Sequence, residues 1–183
     1  MSEKDQTRGL KKHNEELNEL IIDSLKQALI ILMSFKPFEK ISITELCQKA
    51  GVSRMGFYGS FKNKDELLTK IVMDINNRLL LKVGSPFRAD CGLDWYVNLF
   101  TIVKEENQTL KLIFSAGFKY HYLSLINSLV LHDPTISDEM RYSRIIWAGG
   151  VVNTIIYWLD NNMNVSVENM GKFTQNAVSA WIK

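Results

Sequence analysis

Apolar residues recur along this chain at intervals of three and four, and no stretch of useful length alternates every second residue, so the pattern predicts an all-α protein. Leu17, Leu20, Ile21, Ser24, Leu25, Ala28, Leu29, Leu32 and Phe35 form the stripe of a first long helix, which Pro37 ends because the residue before proline resists helical geometry. Ile43, Leu46, Cys47 and Ala50 line one face of a short second helix, and Phe57 and Phe61, four apart, mark the buried side of a third. Asn63 caps a fourth helix carrying Leu67, Leu68, Ile71, Ile75 and Leu79, which runs to Val83 before Gly84, Ser85 and Pro86 break it.

Downstream, Leu93 to Glu106 carries Trp95, Tyr96, Leu99, Phe100 and Val103 on a fifth helix. Shorter helices are expected at 108–116 and 118–131, separated at Gly117. After the loop HDPTISDEM, a long helix at 137–160 is apolar on two faces, one for its own core and one in want of a partner. The last helix starts at Ser166 and places Met170, Phe173, Ala177, Val178 and Trp181 on one stripe.

Local chemistry sharpens the segment from Ile41 to Lys64. Ser42 has Glu45 three residues on, the capping-box spacing. Gly51 stops the second helix, since only glycine enters the left-handed conformation without steric cost, and Ser53 caps the third. Arg54, Met55, Tyr58 and Gly59 are left facing outward. Two helices across a short turn containing glycine form a helix-turn-helix, whose second helix enters the DNA major groove.

The run from Ile43 through Leu67, with its A-G-V-S turn, F-Y-x-x-F helix and following K-x-K-x-E-L, resembles the DNA-binding domain of TetR-family transcriptional regulators. The resemblance implies an N-terminal three-helix helix-turn-helix domain joined by a fourth helix to a larger helical regulatory and dimerisation domain. The corresponding divisions are a flexible arm at 1–13, the DNA-binding domain at 14–62, the connecting helix at 63–83 and a ligand-binding and dimerisation domain at 84–183.

Arg54 is the natural base reader, since a guanidinium makes a bidentate contact to guanine. Tyr58 offers its hydroxyl to phosphate or its ring edge to a thymine methyl, and Met55 supplies apolar contact. Thr44 and Ser53 suit phosphates, with Lys62 assisting. The resemblance adds Lys64, placed where family members use a lysine against the DNA backbone, and Gly56, frequent in the family and expected to permit close approach. Gly59 departs from the pattern, standing where relatives carry a side chain; Ser60 stands where His, Tyr or Asn is common. With fewer side chains to read bases, much of the affinity should come from phosphates and fall steeply with salt.

A net charge of +2 does not by itself announce a nucleic-acid partner, but its distribution agrees with one. Residues 1–83 carry 14 Lys+Arg against 11 Asp+Glu, whereas residues 84–183 carry 8 against 9. Five basic residues and one acid lie between Lys40 and Lys64. Arg8, Lys11 and Lys12 in the arm are nearly cancelled by neighbouring acids. Two cysteines form neither a disulfide framework nor a metal motif, and His13, His121 and His132 are too scattered to bind a metal. No cofactor is expected. The polar start and the lack of a membrane-length apolar run point to a cytoplasmic protein with no membrane partner. No nucleophile elbow, phosphate loop or paired-carboxylate motif suggests an enzyme.

The resemblance implies dimerisation through the long helix and the last one. Gly149 and Gly150 would let two copies approach closely, with Tyr157, Trp158 and Trp181 supplying aromatic area, unless these residues complete a monomer core. Trp95, Phe114, Phe118, His121, Tyr122 and Trp147 are candidates to line a ligand pocket, or else form plain core. The expected function is that of a regulator, in most of the family a repressor, binding a palindromic double-stranded DNA operator as a homodimer and released by a small-molecule effector. The alternative is a TetR-like coactivator whose C-terminal domain docks a protein partner.

Overall fold

A computed structural model of the chain describes residues 3–88 and 91–178. All its regular structure is helical among those residues, and the chain divides into two compact units, 1–71 and 72–183. The boundary falls inside the fourth helix.

The N-terminal unit begins with α1 (Glu3–Met33). The helix thus includes the segment 3–13, ahead of the apolar stripe that begins at Leu17. The segment 3–13 lacks an apolar stripe, but most of it consists of good helix formers, and propensity carries a helix where periodicity is silent. Leu25, Ala28, Leu29 and Met33 are buried, whereas Leu20 and Phe35, expected on the same stripe, are exposed. Phe35 lies beyond the last turn of α1, so the helical period no longer aims it inward.

A single 3-10 turn (Phe38–Lys40) leads to α2 (Ile43–Ala50) and α3 (Arg54–Ser60), both packed on α1. Ser42 caps α2 by accepting from the Glu45 N–H at 3.2 Å. The Glu45 carboxylate instead takes the ammonium of Lys36, which ties the end of α1 to α2. Gly51 ends α2 at φ 66°, where its N–H bonds back to Cys47 and Gln48 carbonyls. Ser53 caps α3 through the Gly56 N–H at 3.0 Å, and Asn63 caps α4 (Lys64–Val83) through the Glu66 N–H at 2.9 Å. Phe57 and Phe61 are buried with Leu46, Leu67 and Leu68 to form the core.

The second unit holds the remainder of α4, then α5 (Leu93–Glu105), α6 (Asn107–Ser115), α7 (Lys119–Val130), α8 (Asp138–Asp160) and α9 (Val167–Val178). Ser137 caps α8, as its loop position suggested, accepting from the Met140 N–H at 3.2 Å. The inward face of α8 carries Trp147, Val151, Ile155, Trp158 and Leu159, packed against α6 and α7. The most extensive pairing in this unit is α5 with α9. Gly171 makes it possible: a Cβ there would sit 2.8 Å from a Val97 methyl and 3.1 Å from the Val97 backbone nitrogen. Met170, Gly171, Thr174 and Val178 are therefore the buried face of α9, and Phe173, expected inside, is exposed. No described helix is long and apolar enough to cross a membrane.

Candidate nucleic-acid interface and ligand cavity

Helix α3 presents a face that its own unit does not cover. Phe57 turns inward, fully buried and 6.1 Å from the Phe61 ring, and this fixes the opposite side outward. On that side Met55 is 85% exposed and Tyr58 50%, with Arg54 and Gly59 exposed beside them. The Arg54 guanidinium carbon lies 6.0 Å from the Tyr58 ring centroid, so cation and ring lean together one helical turn apart. A bare, projecting Met with an Arg and a Tyr is an unusual outward face for a helix in water, and an ordinary one for a helix that enters a groove. Thr44, on α2, Ser53 and Lys62 are exposed around it.

The two glycines of α3 have different jobs. Nothing lies within 4 Å of a Cβ built on Gly59, so its smoothness faces open space. A Cβ on Gly56 would meet Val52 at 3.0 Å, Ser53 at 3.4 Å and Ile21 of α1 at 3.9 Å. A Cβ at Gly56 would thus crowd the turn and α1, whereas one at Gly59 would not. Ser60 Oγ donates to Asn18 Oδ1 on α1 at 3.0 Å, holding the end of the helix to the scaffold.

The Lys64 ammonium donates to the Phe38 and Ile41 carbonyls and lies 4.6 Å from the Phe38 ring centroid. Burial pushes its pKa down, with Asp65 and Glu39 acting against that and Lys36 adding to it. The residue bolts the 3-10 turn to α4. Cys47 is buried, and burial pushes its thiol up more than the nearby Arg54 charge pulls it down; the net rise suits a packing residue.

In the second unit a cavity of about 500 Å³ is lined by residues of α4, α5, α7, α8 and the segments 85–87 and 132–133. Of the six expected lining residues it brings together Trp95, Tyr122 and Trp147. Phe114 instead packs edge-on against Tyr122 at 5.2 Å from behind, while His121 is exposed and meets Phe118 at 5.6 Å, away from the lining. Trp95 donates to the Gly84 carbonyl at 2.9 Å and Trp147 to the Tyr96 hydroxyl at 3.2 Å, so both indoles are anchored and show the cavity apolar surface. Burial pushes the Tyr122 phenol up to about 12, against a hydrogen bond with Asn76 that favours ionisation.

Sequence reasoning missed Asn76, Phe87, Asp133 and Arg144 in this lining. Arg144 was the findable one. It lies three residues before Trp147 and seven before Val151, which puts a charge on the apolar face of α8.

The expected dimer residues divide. Trp158 is 2% exposed, donates to the Val165 carbonyl at 3.0 Å and packs edge-on to Phe100 at 5.3 Å, so it is core of its own unit. Tyr157 is 71% exposed, and Gly149 has nothing within 4 Å of a built Cβ. With Tyr142, Ile146, Gly150 and Asn153, these positions share the outward face of α8. Trp181 lies outside the described residues.

Residues 27–71 match the model of a family of bacterial regulatory proteins, the tetR family. Among solved structures the chain is similar to a TetR transcriptional regulator from Streptococcus agalactiae, at TM-score 0.64 and 15% identity, over 92% of this chain and 98% of that one. It is also similar to the dihydroxyacetone kinase operon activator DhaS, at TM-score 0.57 and 20% identity, over 88% and 96%. At these identities the likeness is one of fold. No curated protein matches the chain by sequence.

Proposed function

We propose that the chain, whose residues 27–71 match the tetR family of bacterial regulatory proteins, is a DNA-binding regulator of transcription that acts as a homodimeric repressor released by a small molecule. The observation that carries the proposal is the uncovered face of α3, where Arg54, Met55 and Tyr58 project from a helix braced by Phe57 and Phe61. Arg54 reads guanine, Tyr58 and Met55 read or pack against neighbouring positions, and Thr44, Ser53 and Lys62 hold phosphates. Gly59 leaves room for the groove wall. Lys64 holds the head together from behind.

A single α3 covers one half-site. Two copies related by a two-fold axis, reading successive major-groove faces about 34 Å apart, match a palindromic operator. The outward face of α8, with Tyr142, Ile146 and Tyr157 around Gly149 and Gly150, supports a symmetric pairing of the second unit, because that apolar stripe is otherwise left to water. The cavity supports an effector site: Asn76, Leu79 and Leu80 of its lining belong to α4, the helix whose first turns belong to the DNA-reading unit. An effector that prefers an α4 arrangement unsuited to the operator spacing shifts the population away from DNA.

The test is selection of bound fragments from the source genome with the purified chain, followed by footprinting. Two protected half-sites one helical turn apart, related by inverted symmetry, support the proposal. A single protected half-site bound by a protein that sediments as a monomer refutes the dimer. Operator release by a protein partner, with none by any small molecule, would favour the coactivator reading.

A further inference from the structure

Most polar groups around the cavity of the second unit have a partner among the described residues. The indole donors of Trp95 and Trp147 are taken by Gly84 and Tyr96. Asn76 donates to the Val72 carbonyl, and His132 Nδ1 lies 2.8 Å from the Leu129 carbonyl oxygen. Asp133 accepts from the Thr135 N–H at 2.9 Å and its hydroxyl at 2.6 Å, bonds that hold the carboxyl below its usual range.

Arg144 is different. Its Nη1 donates to the Val130 carbonyl at 2.9 Å, and its guanidinium carbon lies 4.5 Å from the Phe87 ring centroid, which fixes the plane of the fork. Its Nε is buried, with no acceptor among the described residues. A buried donor left unpaired is a standing cost, and the fixed fork of an arginine is shaped to accept a planar oxyanion through two parallel bonds. The rest of the lining is aromatic and aliphatic.

We propose that this cavity takes a small, largely apolar monoanion, its carboxylate-type group held by Arg144 and its body seated against Trp95, Trp147 and Phe87. This rests on the reading of the cavity as an effector site. It deepens that reading by fixing the charge of the ligand: Asp133 accepts two bonds from Thr135 at one oxygen, whereas the buried Nε of Arg144 has no acceptor among the described residues, so what the lining lacks is an acceptor, which an anion supplies and a cation does not.

Three probes with one ring system make the test: 2-naphthoate, 2-naphthylmethanol and 2-naphthylmethylammonium, titrated calorimetrically into the full chain. The expected order is naphthoate first, by about 10-fold or more over the alcohol, since hydrogen bonds to a charged partner are the strong ones. Arg144→Gln should bring acid and alcohol within about threefold of each other, and Arg144→Lys should restore part of the preference. If the alcohol binds as well as the acid, if the amine binds best, or if the preference survives Arg144→Gln, the anion assignment is wrong while the effector cavity stands. If none of the three binds, the effector cavity itself falls and the assignment with it. Should Arg144→Gln not fold, the order of the three probes on the natural chain and on Arg144→Lys still decides.

Discussion

Replacing Lys64 by methionine separates two roles that the residue could play. Methionine keeps most of the length and apolar area of the stem and removes the ammonium. In the structure that ammonium bonds two carbonyls, of Phe38 and Ile41, and lies over the Phe38 ring. Hydrogen bonds from a charged donor contribute about 1.5–3 kcal/mol each, and the cation–ring contact adds about 0.5–1 kcal/mol at an incompletely buried site. Against them stands the desolvation that lowers the Lys64 pKa, which methionine relieves. The balance is a loss of about 1–3 kcal/mol in the stability of the N-terminal unit, read as a lower midpoint in urea unfolding at unchanged slope. Binding to a selected operator, measured where the variant is folded, should keep its dependence on salt, because no phosphate contact is lost. A variant as stable as the natural chain, but with the slope of log K against log salt reduced by about 0.9, would show that the ammonium neutralises a phosphate and that the inward geometry is not the working one.

The α3 glycines give a second contrast: Gly59→Ala should stabilise the chain by about 0.5–1 kcal/mol in urea, since its Cβ meets nothing, while Gly56→Ala should gain little or lose stability against Val52 and Ile21. Trp158→Ala should cost about 3–5 kcal/mol and leave the association state of the folded fraction unchanged, whereas Tyr157→Glu should leave stability nearly intact and shift the sedimenting species toward monomer. The buried Tyr122 phenol stays protonated to about pH 12 in the folded chain but ionises near pH 10 when unfolded. Stability should therefore fall by about 1.4 kcal/mol per pH unit across that interval on its account, and Tyr122→Phe should remove that part of the slope.

How far the chain could be read from its residues depends on how local each cause was. Ser42, Gly51, Ser53 and Asn63 act within three or four residues, and each does in the structure what its spacing implied. The outward position of Arg54, Met55 and Tyr58 followed from the spacing of Phe57 and Phe61 alone. Lys64 could not be placed that way, because its acceptors are backbone carbonyls 26 and 23 residues upstream. Gly56 and Gly59 are told apart by what a Cβ would meet: Val52 and Ser53 in the turn and Ile21 on another helix at the first, nothing at the second. Neighbouring aromatics such as Tyr157 and Trp158 point to opposite sides of α8, and on a helix apolar on two faces hydrophobicity does not say which side is covered. His121 drew notice for its chemistry, yet it is exposed, while the charge that meets the cavity is Arg144 on an apolar face.

The central claim is that α3 reads a duplex through its uncovered face, and fluorescence anisotropy on one labelled fragment from the genomic selection tests it most directly. The natural chain should bind that fragment far more tightly than a scrambled duplex, and Arg54→Ala should lose about 10- to 100-fold on the selected fragment while changing little on the scrambled one. A natural chain that ignores every duplex at low salt, or an Arg54→Ala chain that binds the selected fragment equally well, would contradict it.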